Sequence, residues 1–106
     1  MASGIQSNPN ANNTAFIHAY QLPGNMSFNV GNNARFLLIL SSSAVDSNGM
    51  YMCTSSSAGL TRVIPVKEAP NFTLTTGTSV LSVSSSEAAI AVLIIEYTST
   101  SRVAVA

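Results

Sequence analysis

The sequence predicts an all-β protein, a small antiparallel β-sandwich or jelly roll of about eight short strands. Three observations carry that prediction. Apolar residues alternate with polar ones over several short segments, and no segment shows the 3.6-residue period of a helix. Clusters of Gly, Asn, Pro and Ser interrupt the chain at short, fairly even intervals. Charged residues make up only 8% of the 106 residues, against about 25% in an average domain. Polarity comes instead from Ser, Thr and Asn, and the scarcity of Lys and Glu removes two poor strand formers.

The elements follow in chain order. Residues 1–13 are rich in Asn, Ser and Pro and nearly free of apolar side chains, which reads as a flexible arm or linker. The sandwich is expected over residues 14–97. In residues 14–21, Phe16, His18 and Tyr20 share one side, and Ile17 and Ala19 the other. Leu22-Pro23-Gly24-Asn25 is a turn. Met26, Phe28 and Val30 then alternate with polar residues, and Gly31-Asn32-Asn33 turns again. Residues 35–40 read RFLLIL, apolar on both sides. Asp46-Ser47-Asn48-Gly49 has hairpin-turn chemistry, because Asn-Gly readily takes positive φ. Its return strand places Met50 and Met52 opposite Tyr51 and Cys53. Residues 61–67 contain Pro65, which cannot donate to a ladder, so that strand should be an edge or carry a bulge. A hairpin around Gly77 joins strands centred on Phe72 and Leu74 and on Leu81 and Val83. Residues 88–97 read AAIAVLIIEY, the most apolar strand. Residues 98–106 form a tail, either disordered or a short edge strand.

Two strands break the rule that one face of a sandwich sheet meets water. Phe36, Leu38 and Leu40 oppose Leu37 and Ile39, while Ile90, Val92 and Ile94 oppose Leu93, Ile95 and Tyr97. The core is expected to take Phe36, Leu38, Ile90, Val92 and Ile94. The second face, with Leu37, Ile39, Leu93 and Ile95, is then covered either by the arm or tail or by another subunit. An exposed apolar patch of that size marks an interaction surface, so these four residues are the candidate subunit interface.

Sites for chemistry are scarce. Net charge is zero and the four basic residues are scattered, which gives nucleic-acid binding no support. The start lacks the basic and apolar runs of a secretory leader, and residues 88–95 are too short to span a bilayer, so no membrane insertion is expected. One cysteine, Cys53, permits no internal disulfide and no cysteine metal cage. His18 is the single histidine. Asp46, Glu68, Glu87 and Glu96 all read as turn, break or strand-end residues. No nucleophile, acid and base group together, and no cofactor or metal is expected. Asp46-Ser47-Asn48 is a fragment of a calcium loop better explained by its turn. Binding, if the domain recognises a ligand, falls to hairpin tips, with Asp46, Asn48, Tyr51, Ser56 and Ser57 as candidates.

Across residues 35–97, the succession RFLLILSSS, NGMYMCTSSSAGLTRVIPV, NFTLTTGTSVLSV and AAIAVLIIEY resembles the small β-sandwich domains at the distal ends of bacteriophage tail fibres and receptor-binding proteins. The resemblance lies in composition and order, and no site motif carries over to particular positions. It implies a virion appendage, homotrimeric, that contacts a host-surface glycan or protein receptor and is not an enzyme. The chain is short for that class, lacks a shaft repeat and has no Trp. The alternative expectation is a monomeric carbohydrate-binding module, extracellular or on a bacterial surface.

Overall fold

The computed structural model describes residues 16–22, 24–42, 48–86 and 90–106. Alternation of inward and outward side chains sets the architecture. Nine strands form among the described residues: β1 (Phe16–Leu22), β2 (Asn25–Val30), β3 (Arg35–Ser41), β4 (Gly49–Ser55), β5 (Thr61–Lys67), β6 (Phe72–Gly77), β7 (Val80–Ser85), β8 (Ile90–Glu96) and β9 (Val103–Val105). They build a five-stranded sheet in the order β1-β8-β3-β4-β5 and a four-stranded sheet in the order β6-β7-β2-β9, with every neighbouring pair antiparallel. Rolling up one long hairpin would pair β1 with β8, β2 with β7, β3 with β6 and β4 with β5. The first, second and fourth of these pairings are present; β3 instead pairs with β4 and β8, and β6 with β7. The topology is therefore a β-sandwich with jelly-roll elements rather than a complete jelly roll.

One core joins the two sheets. Phe28, Val30, Phe72, Leu81, Val83 and Val103 from the four-stranded sheet meet Phe36, Leu38, Leu40, Tyr51, Cys53, Val92 and Ile94 from the five-stranded sheet. Phe36, Leu38, Val92 and Ile94 thus take their expected places, while the side chain of Ile90 lies outside the described set. The strands number nine, and the sandwich does not stop at residue 97. The tail returns along β2, pairing Val103 with Val30 and Val105 with Phe28, and buries Val103. Its alternating Val-Ala-Val stretch suits an edge position.

Pro65 satisfies both halves of its expectation: β5 is an edge strand, and the register shifts where Met50 faces Lys67 but Tyr51 faces Pro65. Gly49 corrects the turn reading. It lies within β4 opposite Leu40 without positive φ. Glycine is needed there for close approach, since a Cβ would lie 2.7 Å from both the Cβ and N of Ala69. Asp46 and Ser47, the rest of that predicted turn, fall outside the described residues, as does the 1–13 arm.

The loops gather at two ends. At one end Ser79 N donates to Gly59 O, Val30 N to Ser79 O, Asn33 N to Ser56 O and Gly31 N to Arg102 O. The turn at 31–34, the loop at 56–60, the hairpin tip at 78–79 and the segment at 98–102 are thereby zipped together. Gly59, at φ 85, and Ser79, at φ 60, take the left-handed backbone this closure requires. Ser41, Asn48 and residues 68–71 lie at the opposite end.

Candidate functional site

Glu96 ends β8 as expected, but it is buried rather than at the surface. Its carboxylate has 0% exposure, and His18 Nε2 lies 2.7 Å from Oε2. Ser101 Oγ donates to the same oxygen at 2.6 Å, and Arg102 N donates to Oε1 at 2.6 Å. Strand parity explains the arrangement. Glu96 follows Val92 and Ile94 on the inward side of β8, while His18 lies between Phe16 and Tyr20 on the inward side of β1. Phe16 stands opposite Glu96 and His18 opposite Ile94, so the imidazole reaches the carboxylate diagonally. The His18 ring also stacks near Tyr20, with centroids 6.4 Å apart. The alternation groups His18 with Phe16 and Tyr20, and Glu96 with Val92 and Ile94, which was the available signal for a paired polar group.

The geometry is that of a tie between segments. In a nucleophile–base–acid relay the imidazole stands between the other two, using one nitrogen for each. Here one nitrogen faces Glu96 at 2.7 Å and Ser101 at 3.5 Å, and the serine proton is already given to the carboxylate. The three contacts satisfy a buried carboxyl group and fasten residues 101–102 to the five-stranded sheet. Arg102 then extends through Nη1 to Asn32 O at 3.0 Å, while its Nε is buried with no acceptor among the described residues.

The candidate binding residues do not converge. Asn48 is exposed at the β3–β4 end, whereas Ser56 and Ser57 lie beyond the opposite end of β4, about 20 Å away along a seven-residue strand. Ser56 Oγ accepts from Ala58 N and Leu60 N, shaping its own loop, and Ser57 faces solvent. Tyr51 is a core residue, 4% exposed, and its hydroxyl accepts from Ala69 N at 2.8 Å. It is thus a core residue with its hydroxyl engaged, and it also contributes to the lining of the cleft between β5 and β6. This cleft of about 490 Å³ opens where the β5 and β6 edges diverge, lined by Val63, Pro65, Glu68, Phe72, Thr73 and Thr76 among others. Among the described residues no group of three His, Cys, Asp or Glu is placed to hold a metal, and no helix is long and apolar enough to cross a membrane.

The outer side of the five-stranded sheet is the most distinctive surface. Cross-strand register aligns Ile17 with Ile95, Ile95 with Leu37, Leu37 with Met52 and Met52 with Ile64, an apolar row across all five strands. A second row runs Ala19, Leu93, Ile39, Met50 and ends on the charged Lys67 of the edge strand β5. Ile17 is 63% exposed, Ile64 55% and Met52 44%. The four residues singled out from sequence, Leu37, Ile39, Leu93 and Ile95, are half-buried by their neighbours in the middle of these rows. Sequence reasoning missed the flanks, Ile17, Met52 and Ile64, because only knowledge of which strands adjoin reveals the alignment.

No protein-family model, curated protein or solved structure matches this chain.

Proposed function

We propose that this chain is a non-catalytic structural and recognition domain of a phage tail fibre or similar virion appendage, working as an assembly of identical chains. The observation that carries the reading is the apolar outer face of the five-stranded sheet. A solitary sandwich would present polar residues there, and contiguous apolar area of this extent marks an interaction site. A largely uncharged Ser/Thr/Asn surface elsewhere suits a protein exposed to solvent with few ionic partners. The loops zipped together around Gly59 and Ser79 offer a preformed platform for a host-surface glycan or protein. Pre-organisation of that kind lowers the ordering cost of binding.

Light scattering on the purified chain, followed by host-cell adsorption with the soluble domain as competitor, tests the proposal. An oligomer that blocks adsorption supports it. A monomer with no effect on adsorption sinks it. The cleft between β5 and β6 favours the second reading, a monomeric carbohydrate-binding module. Tyr51 and Phe72 line the cleft, but both are largely buried and leave little ring face for a sugar to stack on.

A further inference from the structure

We infer that the row Tyr97, Arg35, Thr54, Arg62, at the rim of the five-stranded sheet, is a binding site for an acidic polysaccharide. The inference rests on the reading of the zipped loop end as a recognition surface, and it adds the site and the chemistry of its ligand.

Charge is scarce in this chain, so its placement carries information. The four basic residues are scattered through the sequence, yet three of them meet at the zipped end. Arg35 opens β3 just after the turn at 31–34, and Arg62 stands second in β5 just after the loop at 56–60. Arg102 reaches the same turn, where its Nη1 donates to Asn32 O at 3.0 Å. The fourth, Lys67, lies at the opposite end, with its Nζ on Asn48 O. Acids do not offset the three arginines. Among the described residues Glu96 is the only acid at this end, and it is buried and engaged by His18, Ser101 and the Arg102 amide. The exposed charge here is therefore positive.

Register turns that charge into a row. Tyr97 N donates to Arg35 O at 3.1 Å, Arg35 pairs with Thr54, and Thr54 pairs with Arg62. All four side chains share the outer side, since their chain neighbours Glu96, Phe36, Cys53 and Thr61 are buried. Three steps of about 4.8 Å make the row about 14 Å long and put its two guanidinium groups about 10 Å apart. A hydroxyl lies between them, and a tyrosine ring 52% exposed stands at one end.

That set suits an acidic sugar chain. A guanidinium group grips a carboxylate or similar oxyanion through paired N–H donors. The apolar side of a sugar ring packs on a tyrosine ring whose hydroxyl still reaches water. Arg35 is held ready, because its Nη1 donates to Ala34 O at 2.8 Å and to Ser55 O at 3.1 Å, and its other donors have no acceptor among the described residues. Arg62 is exposed, and its guanidinium has no partner among them. Side chains fixed before binding lose little freedom on binding. The next row, from Ile17 to Ile64, is apolar, so a subunit covering the middle of the face leaves this row open at the polar rim.

The test uses the full chain and three polymers: polygalacturonate, dextran sulfate and uncharged dextran. Titration calorimetry should show binding to one or both acidic polymers, at least about tenfold tighter than to dextran and weakened by salt. The Arg35→Gln/Arg62→Gln variant should bind about a hundredfold more weakly, and Tyr97→Ala several-fold more weakly. Lys67→Gln, at the far end, should change little. Arg62→Gln alone should lose about tenfold, a readout that stands even where loss of the Arg35 contacts unfolds the chain. Dextran bound as tightly as the acidic polymers overturns the inference. So does a loss in Lys67→Gln equal to that of the double variant, the mark of diffuse attraction. Wild type that assembles and blocks host-cell adsorption but binds no polymer overturns the inference alone. A monomer that binds acidic polymers at this row without effect on adsorption overturns the virion reading and upholds the site.

Discussion

His18 Nε2 sits 2.7 Å from Glu96 Oε2 across the β1–β8 boundary, and that carboxylate has no exposed surface. The pair ties the first strand to the eighth, and through Ser101 and Arg102 it fixes the route of the chain into β9. Glu96→Ala should therefore cost about 3–5 kcal/mol in urea denaturation, because it strands several donors in the interior. His18→Ala should cost less, since that side chain is 24% exposed and water can replace part of the contact. A double-mutant cycle should give a clear coupling energy; additive losses would show that the two groups do not act together.

Burial pushes the Cys53 thiol from 9.0 up to about 12. At pH 8 about one folded thiol in ten thousand would be ionised, so iodoacetamide should label the protein only on unfolding. The linkage has a definite sign. The unfolded chain releases this proton above pH 9.0 and the folded one near 12, so the thiol's contribution is complete below pH 9 and is lost as pH rises towards 12. Denaturation free energies of wild type should fall faster over that range than those of Cys53→Ala, by up to about 1.4 kcal/mol per pH unit. Parallel curves would count against the buried thiol.

Neighbours in one strand should answer differently to the same truncation. Leu38 is fully buried in the core, and Leu38→Ala should cost about 2–5 kcal/mol. Leu37, on the outer face, should cost distinctly less when the protein is measured dilute enough to be monomeric. An unchanged denaturation midpoint for Leu38→Ala would contradict the inward assignment.

Tyr51 separates a core role from a recognition role. Tyr51→Phe removes the acceptor of the buried Ala69 amide and should destabilise by about 1–3 kcal/mol, with glycan-array or adsorption signals unchanged. Lost binding at unchanged stability would restore Tyr51 as a binding residue.

Much of the fold was legible because a sheet has a period of two. Parity alone grouped Phe16, His18 and Tyr20 on one side of β1 and Met50 with Met52 on one side of β4, without saying which side faces the core. Parity says nothing about which strands adjoin, so the row from Ile17 to Ile64 and the meeting of His18 with Glu96 stayed hidden. Glu96 was read as a strand-end group, although its position followed Val92 and Ile94 on the inward side. Gly49 was assigned to turn chemistry because the crowding by Ala69, twenty residues later in the chain, leaves no local mark. Tyr51 had the amphipathic character of a binding residue, and only the Ala69 amide shows where its hydroxyl is used.

Strand order also bears on how the chain must fold. The β3-β4-β5 meander is built from sequence neighbours, but β1 waits for β8 and β2 waits for β7. Closing such distant pairs is slow, since loop entropy is lost before contacts compensate it. During synthesis the meander emerges with Leu37, Ile39, Met50 and Met52 on one side and unpartnered core residues on the other, and it has no finished sheet until residues 90–96 arrive. That interval is when the nascent protein is most exposed to aggregation.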